Sequence, residues 1–262
     1  MLLHGRSEFI EKYYEVIEEL LVRGWAVVTF DWRGQGLSTR PLANPMKGHV
    51  EDFAQYTSDA LLVYEELILP DMPGPYLLLG HSMGGHCGLR FLQEYPERFE
   101  KAVLCAPMLG WDALRTVPMR AAAGVQVALG QSTSYTFLGG DPDISQLPAE
   151  LTSDQARLAR NQAYVQQTPA LALGGPTWRW VQQATRSIAR IMRRDQLIRV
   201  KTPVLVSSAD ADTVVSPSQH RTLPFLNPTF TIDSIAGAMH EILQERDEFR
   251  ERFWTAFDRF SA

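Results

Sequence analysis

The 262-residue chain has little cysteine, no excess of positive charge and no long apolar run. Its two cysteines, Cys87 and Cys105, cannot make the disulfide framework of a small secreted scaffold. Lys and Arg number 25 against 30 Asp and Glu, a formal charge of −5, which excludes the broad basic face that nucleic-acid binding needs. No apolar run approaches the roughly 18 residues of a membrane-spanning helix. The start, Met1-Leu2-Leu3-His4-Gly5, lacks the charged n-region of a secretory signal. No internal repeat or low-complexity tract is evident. What is left is a globular composition, 45% hydrophobic and 21% charged, and it predicts a soluble protein of a reducing, cytoplasmic compartment.

Strand and helix signals alternate along the chain. Trp25 to Phe30, Tyr76 to Leu79, Ala102 to Cys105, Val204 to Ser207 and Thr229 to Ile232 read as buried strands. Between them lie helical patterns: Glu8 to Arg23 with Ser7 as N-cap and Gly24 just past its end, Val50 to Leu69, Gly84 to Tyr95, and an amphipathic Glu241 to Phe260. Such alternation predicts parallel βαβ units in an open α/β sheet. The rhythm breaks between Met108 and Arg199, where Leu151 to Gln167 and Thr177 to Arg194 read as helices and no strand is evident. That stretch is expected to be a helical insertion, so residues 1–107 and 200–262 would form the core and residues 108–199 a cap.

The sharpest motif is Gly80-His81-Ser82-Met83-Gly84-Gly85, a G-x-S-x-G between an apolar strand and a helix. A serine on so sharp a turn needs small neighbours. The turn lifts the hydroxyl clear of the sheet and aims the helix N-terminus at a developing oxyanion. The hydroxyl needs a base, and the base an orienting acid, in the chain order Ser, Asp or Glu, His. Only His220 and His240 lie well downstream of Ser82. His240 falls in a loop after a strand, where a base is needed, whereas His220 falls in a short helical pattern. Asp210 and Asp212 both follow the strand ending at Ser207. Asp212 precedes a Val-Val pair that can pack the loop on the sheet and is the expected acid, and Asp210 suits the bend itself. Acyl transfer also needs two N–H donors. The Met83 N–H is the first candidate, and the Arg6 N–H, in the loop His4-Gly5-Arg6-Ser7, the second. His4 is expected to stabilise that loop.

Together these residues resemble the α/β-hydrolase superfamily, and within it the monoacylglycerol lipase and bacterial lysophospholipase (serine aminopeptidase S33-like) group. The carrying pieces are His4-Gly5-Arg6-Ser7-Glu8, then Asp31-Trp32-Arg33-Gly34-Gln35-Gly36-Leu37-Ser38, similar to a D-x-R-G-x-G-x-S loop, then the Gly80 to Gly85 elbow, Ser208 to Val215, Ala238-Met239-His240-Glu241-Ile242-Leu243, and Leu171 to Trp178 within the insertion. The resemblance implies an α/β-hydrolase fold, a triad of Ser82, Asp212 and His240, an oxyanion hole from the Arg6 and Met83 N–H groups, and no metal or organic cofactor. Such hydrolases carry about two further strands ahead of the His-Gly loop, so a longer authentic chain is expected.

A serine nucleophile argues against dehalogenase and epoxide-hydrolase chemistry in this fold, which uses an aspartate. Apolar residues of the insertion, including Met108, Trp111, Met119, Trp178 and Trp180, suit an acyl chain and equally suit the insertion's own core. The basic set Arg157, Arg160, Arg179, Arg186, Arg190, Arg193 and Arg194 could meet lipid phosphates at a membrane surface, or be a solvated helix face. The expected activity is serine hydrolysis of a lipid-like carboxylic ester, a lysophospholipid or monoacylglycerol. A small-ester esterase, an acyltransferase on the same scaffold and a non-catalytic lipid binder are the alternatives.

Overall fold

The computed structural model describes residues 1–111, 113–137, 139–144 and 151–262. In chain order its main elements are β1 (Leu2–Leu3), α1 (Tyr14–Val22), α2 (Ala54–Val63), α3 (Leu69–Asp71), β2 (Leu77–His81), α4 (Met83–Glu94), β3 (Lys101–Cys105), α5 (Ala113–Ala128), α6 (Gln155–Gln167), α7 (Trp178–Ile191), α8 (Arg194–Leu197), β4 (Val204–Ala209), α9 (Pro217–Leu226), β5 (Phe230–Ile235) and α10 (Asp247–Ser261). The strands form one five-stranded sheet in the order β1-β2-β3-β4-β5. Every pairing is parallel.

Successive strand residues point to opposite faces, and the core divides accordingly. Leu3, Leu78, Leu104 and Val206 pack with residues of α2, α4 and α7, such as Tyr56, Leu89 and Ala184. Leu2, Leu79, Val103 and Leu205 pack under α1 and α10 with Val16, Phe253 and Phe257. Burial on both faces explains why these strands read as continuous apolar runs.

The segment 25–30 departs from the sequence reading. It touches the sheet through a single bridge, Thr29 to Leu2, and through the Leu2 N–H, which donates to Val28 O. Its residues are at most partly buried, because it runs along the sheet's edge with β1 on one side. Ser7 does not cap a helix. It sits at φ 60° and gives its N–H to the Gln35 side chain, and a short 3-10 turn, Ile10–Tyr13, leads into α1. The helix predicted from Val50 begins at Ala54 and continues through a π-helical turn, Tyr64–Ile68, into α3.

Between β3 and β4 the described residues hold only helices and loops, apart from isolated bridges. Asp154 accepts from the Arg157 N–H and caps α6; Thr177 accepts from the Trp180 N–H and caps α7. Ion pairs absorb much of the basic set: Arg157 and Arg160 bind Glu15, Arg179 lies against Glu51, Arg190 against Glu94 and Arg193 against Asp195. Glu15 also accepts from Arg250 at 2.8 Å, so one carboxylate ties α1, α6 and α10 together. Partial burial alone would raise its pKa, but the hydrogen bonds from Arg157 and Arg160 and the charge of Arg250 bring it from 4.5 down to about 2. A carboxyl depressed in the folded state contributes stability that is present above the unfolded value and lost as pH falls through the folded one. Thermal melts of Glu15→Gln should therefore show lower stability near neutrality and a flatter loss between about pH 4.5 and about pH 2 than the parent chain.

Candidate active site

The nucleophile candidate, Ser82, joins the end of β2 to the start of α4. Its backbone is strained, at φ 51° and ψ −115°. Two bonds hold the turn against β3: the Ser82 N–H donates to Cys105 O, and Ser82 O accepts from the Met108 N–H, both at 3.0 Å. Gly84 is forced by close approach, since a Cβ there would lie 2.1 Å from Leu3 O. The helix thus meets β1 backbone to backbone.

Three side chains from distant parts of the chain meet here. His240 Nε2 lies 2.9 Å from Ser82 Oγ, and His240 Nδ1 lies 2.6 Å from Asp212 Oδ2. The other Asp212 oxygen accepts the N–H groups of Val214 and Val215, at 2.7 and 3.0 Å, so the Val-Val pair fixes the acid through its backbone. Burial alone would raise the Asp212 pKa, but the hydrogen bond and charge of His240, aided by those two N–H groups, hold it below its ordinary value. A carboxylate that accepts from Nδ1–H leaves Nε2 free to take the serine proton.

The alternative candidates lie elsewhere. His220 is buried, with Nδ1 on Ser208 Oγ at 2.9 Å and Nε2 on Pro107 O at 2.8 Å. Burial pushes its pKa down. Asp210 sits exposed in a turn closed by the Asp212 N–H on Ala209 O, 3.8 Å from Arg221. His4 braces its loop through Gly5 O and the Asp31 carboxylate, as expected of it.

Met83 is the first residue of α4, so its N–H has no partner within the helix. Arg6 lies between two anchored neighbours, the Gly5 N–H being taken by Glu8 Oε2 and the Ser7 N–H by Gln35 Oε1. Gln35 also reaches Met83 Sδ at 3.7 Å and so links the two loops that carry the candidate oxyanion donors. Its own loop depends on Gly36, at φ 51°, where a Cβ would overlap the Asp31 carboxylate that accepts the Ile10 and Leu37 N–H groups.

A buried ionic cluster, unread as such in the sequence, underlies the site. Lys12 Nζ bridges Glu8 and Glu241 at 2.8 and 2.5 Å, and Tyr13 OH donates to Glu8 at 2.7 Å. His81 places Nδ1 3.2 Å from Glu8 Oε2 and Nε2 3.2 Å from His240 O. Burial would raise the Glu8 pKa, yet Lys12 and His81 hold it well below the carboxylate range. Burial would lower those of Lys12 and His81, yet Lys12 is raised to about 12 by Glu241 and Glu8, and His81 is raised above its ordinary value by Glu8. With an ionised carboxylate on one side and a carbonyl on the other, the surroundings of His81 favour its protonated form, and the ring ties Glu8 to the backbone of the His240 loop. The clue available in the sequence was the spacing of Glu8 and Lys12 and the position of Glu241 beside His240.

Ser82, His240 and Arg6 line a cavity of about 680 Å³ whose other walls include Met108, Trp111, Met119, Trp180, Val181 and Val215. A second cavity of about 400 Å³, reaching Asp141, Asp143 and Gly174, shares Arg6, Ser7, Glu8, Leu151 and Glu241 with the first. Among the described residues no cluster of His, Cys, Asp and Glu is arranged to hold a metal.

A family model described as serine aminopeptidase, S33, matches residues 1–247. The chain belongs to the serine aminopeptidase S33 family. It is 30% identical to the probable lysophospholipase L2 of Haemophilus influenzae over 261 residues, 99% of this chain and 82% of the relative. It is also 30% identical to lysophospholipase L2 of Escherichia coli strain K12 over 267 residues, 94% and 75% of the two chains. Among solved structures, a monoacylglycerol lipase of Paleococcus ferrophilus superposes with a TM-score of 0.77 at 24% identity, covering 99% of this chain and 92% of that one. At that identity the likeness carries the fold alone. This S33 member has the α/β-hydrolase fold, its parallel sheet flanked by helices on both faces.

Proposed function

We propose that this S33-family chain is a carboxylic ester hydrolase acting on lipid-like esters, a lysophospholipid or a monoacylglycerol, through Ser82, His240 and Asp212. The observation that carries the reading is the unbroken hydrogen-bonded chain from Ser82 Oγ through His240 to the buried Asp212 carboxylate. His240 Nε2 takes the hydroxyl proton as Ser82 Oγ attacks the ester carbonyl. The Arg6 and Met83 N–H groups receive the oxyanion. The C–O bond to the alcohol breaks and the alcohol leaves with the proton from His240. Water, deprotonated by the same imidazole, then attacks the acyl-serine and releases the acid. Asp212 keeps Nδ1 protonated and stabilises the imidazolium.

The cavity over Ser82 suits the acyl chain, because each methylene moved from water onto walls such as Met108, Trp111 and Met119 gains about 0.8 kcal/mol. The described residues of 108–199 act as a cap, supplying Met108, Trp111, Met119, Trp180 and Val181 to those walls. Exposed apolar residues of the cap, Val117, Val125, Leu129 and Phe137, suit transient contact with a lipid surface. No described helix is long and apolar enough to cross a membrane, and two buried free thiols, Cys87 and Cys105, fit a reducing cytoplasm.

Turnover of one long acyl chain esterified to glycerophosphocholine and to glycerol, beside a short-chain nitrophenyl ester, tests the substrate class. The two lipid esters should exceed the short-chain nitrophenyl ester in kcat/KM, with free acid as the product. Preference for the short ester, or transfer of the acyl group to an added alcohol in place of water, would overturn this part of the reading.

A further inference from the structure

The Arg6 side chain has an unusual position for a residue whose backbone N–H is assigned above to the oxyanion. Its guanidinium stands at the junction of the two cavities. On one side it lies over the Trp180 ring, 5.2 Å from the centroid, and Trp180 lines the acyl cavity. On the other side Nη2 donates to Gly174 O at 2.5 Å, and Gly174 lines the second cavity. Nη1 donates to Ser7 Oγ at 3.0 Å, and Nε is buried with no hydrogen-bond partner. Among the described residues the titratable groups that act on it are the phenols of Tyr56 and Tyr135 and no carboxylate, in contrast to the paired arginines of α6 and α7. Burial accordingly lowers its pKa to about 10. A partly buried cation with no counter-ion among the described residues, lining a cavity, is a place for an anion.

We propose that Arg6 selects the substrate's head group: its guanidinium receives the phosphate of a lysophospholipid in the second cavity, while the ammonium of a zwitterionic head group faces Asp141 and Asp143 at the cavity's exposed rim. The assignment rests on the ester-hydrolase reading above. It gives each half of the substrate one direction from Ser82, the acyl chain toward Trp111 and Met119 and the phosphate toward Gly174. Arginine suits the task because its planar fork meets phosphate oxygens with two parallel N–H bonds. The aspartates suit a cation: Asp141 accepts from Tyr135 OH and from Asn44 Nδ2 and is held below its ordinary pKa, ionised.

The test measures kcat/KM for one acyl chain on glycerol, on glycerophosphoglycerol and on glycerophosphocholine, below the micelle concentration. In Arg6→Gln the ratio of each phosphate ester to the acylglycerol should fall roughly 10- to 100-fold, the weight of a charge-assisted bond. Arg6→Lys, which keeps the charge but not the fork, should fall less, and it decides by the same ratio if Arg6→Gln does not fold. Proportional loss on all three esters in both variants would mean that Arg6 serves only the loop, and would overturn the proposal while hydrolysis of the acylglycerol by the parent chain leaves the ester-hydrolase reading standing. Failure of the parent chain on every ester sinks that reading itself. Asp141→Asn should lower the phosphocholine ester several-fold relative to the phosphoglycerol ester, and equal effects on the two would remove the aspartates from the assignment.

Discussion

Replacing Ser82 by alanine should lower kcat by a factor of about a million with the fold intact, the loss seen when the nucleophile of a serine-histidine-aspartate set is removed. The fold should survive because Ser82 holds the elbow through its backbone, its N–H on Cys105 O and its carbonyl under the His86 and Met108 N–H groups. Alanine keeps all three bonds and loses only Oγ. Circular dichroism and a thermal melt separate this outcome from unfolding. The residual rate should come from substrate binding and the two oxyanion donors, and it should not fall much further when His240→Ala is added, since a base with no nucleophile to serve contributes little. A variant retaining a tenth of the parent rate would mean that another group attacks the ester.

Asp212→Asn should lower kcat by about ten-thousandfold, with the site's geometry preserved. The geometry dictates the reason. One Asp212 oxygen is held by the Val214 and Val215 N–H groups, so the asparagine carbonyl will keep that position and its NH₂ will face His240 Nδ1. An NH₂ group donates. The imidazole must then accept at Nδ1 and carry its proton on Nε2, pointing at Ser82 Oγ, which is the tautomer that cannot serve as a base. Stability should change little, because shape and the two backbone bonds are retained. NMR of the His240 ring nitrogens would register the switch directly. A loss of less than tenfold would show that Asp212 neither selects the tautomer nor stabilises the imidazolium.

The fold was legible where local chemistry dictates it. The runs Leu77 to Leu79, Ala102 to Cys105 and Val204 to Val206 are apolar on both faces, the pattern of a strand sandwiched between helices. Residues 25–30 carry a similar run, yet their pairing depends on which strand lies alongside, and that is a tertiary fact. Ser7 read as a cap because serine caps helices, whereas its N–H is claimed by Gln35, 28 positions away. The basic set of the insertion could not be told from a lipid-facing patch until Glu15 was seen to take both Arg157 and Arg160.

The candidate site divides in the same way. Ser82 stood out because a strained turn needs glycines beside it, His240 because chain order leaves few other histidines, and Asp212 because it follows the strand ending at Ser207 and precedes a Val-Val pair. The supporting cluster was hidden because its partners are far apart in sequence: Lys12 and Glu241 are separated by 229 positions. Neither Lys12 nor His81 announces its charge state, which is set by burial among the carboxylates of Glu8 and Glu241. The two cavities meeting at Arg6 are likewise products of the assembled molecule.

The most direct measurement is peptide mapping by mass spectrometry after reaction of the native protein with a fluorophosphonate, which phosphonylates only an activated serine. The adduct should fall on Ser82 alone, form in proportion to loss of ester hydrolysis, and slow by orders of magnitude in His240→Ala. Ester hydrolysis that persists in fully labelled protein, or an adduct on a different serine, would contradict the account.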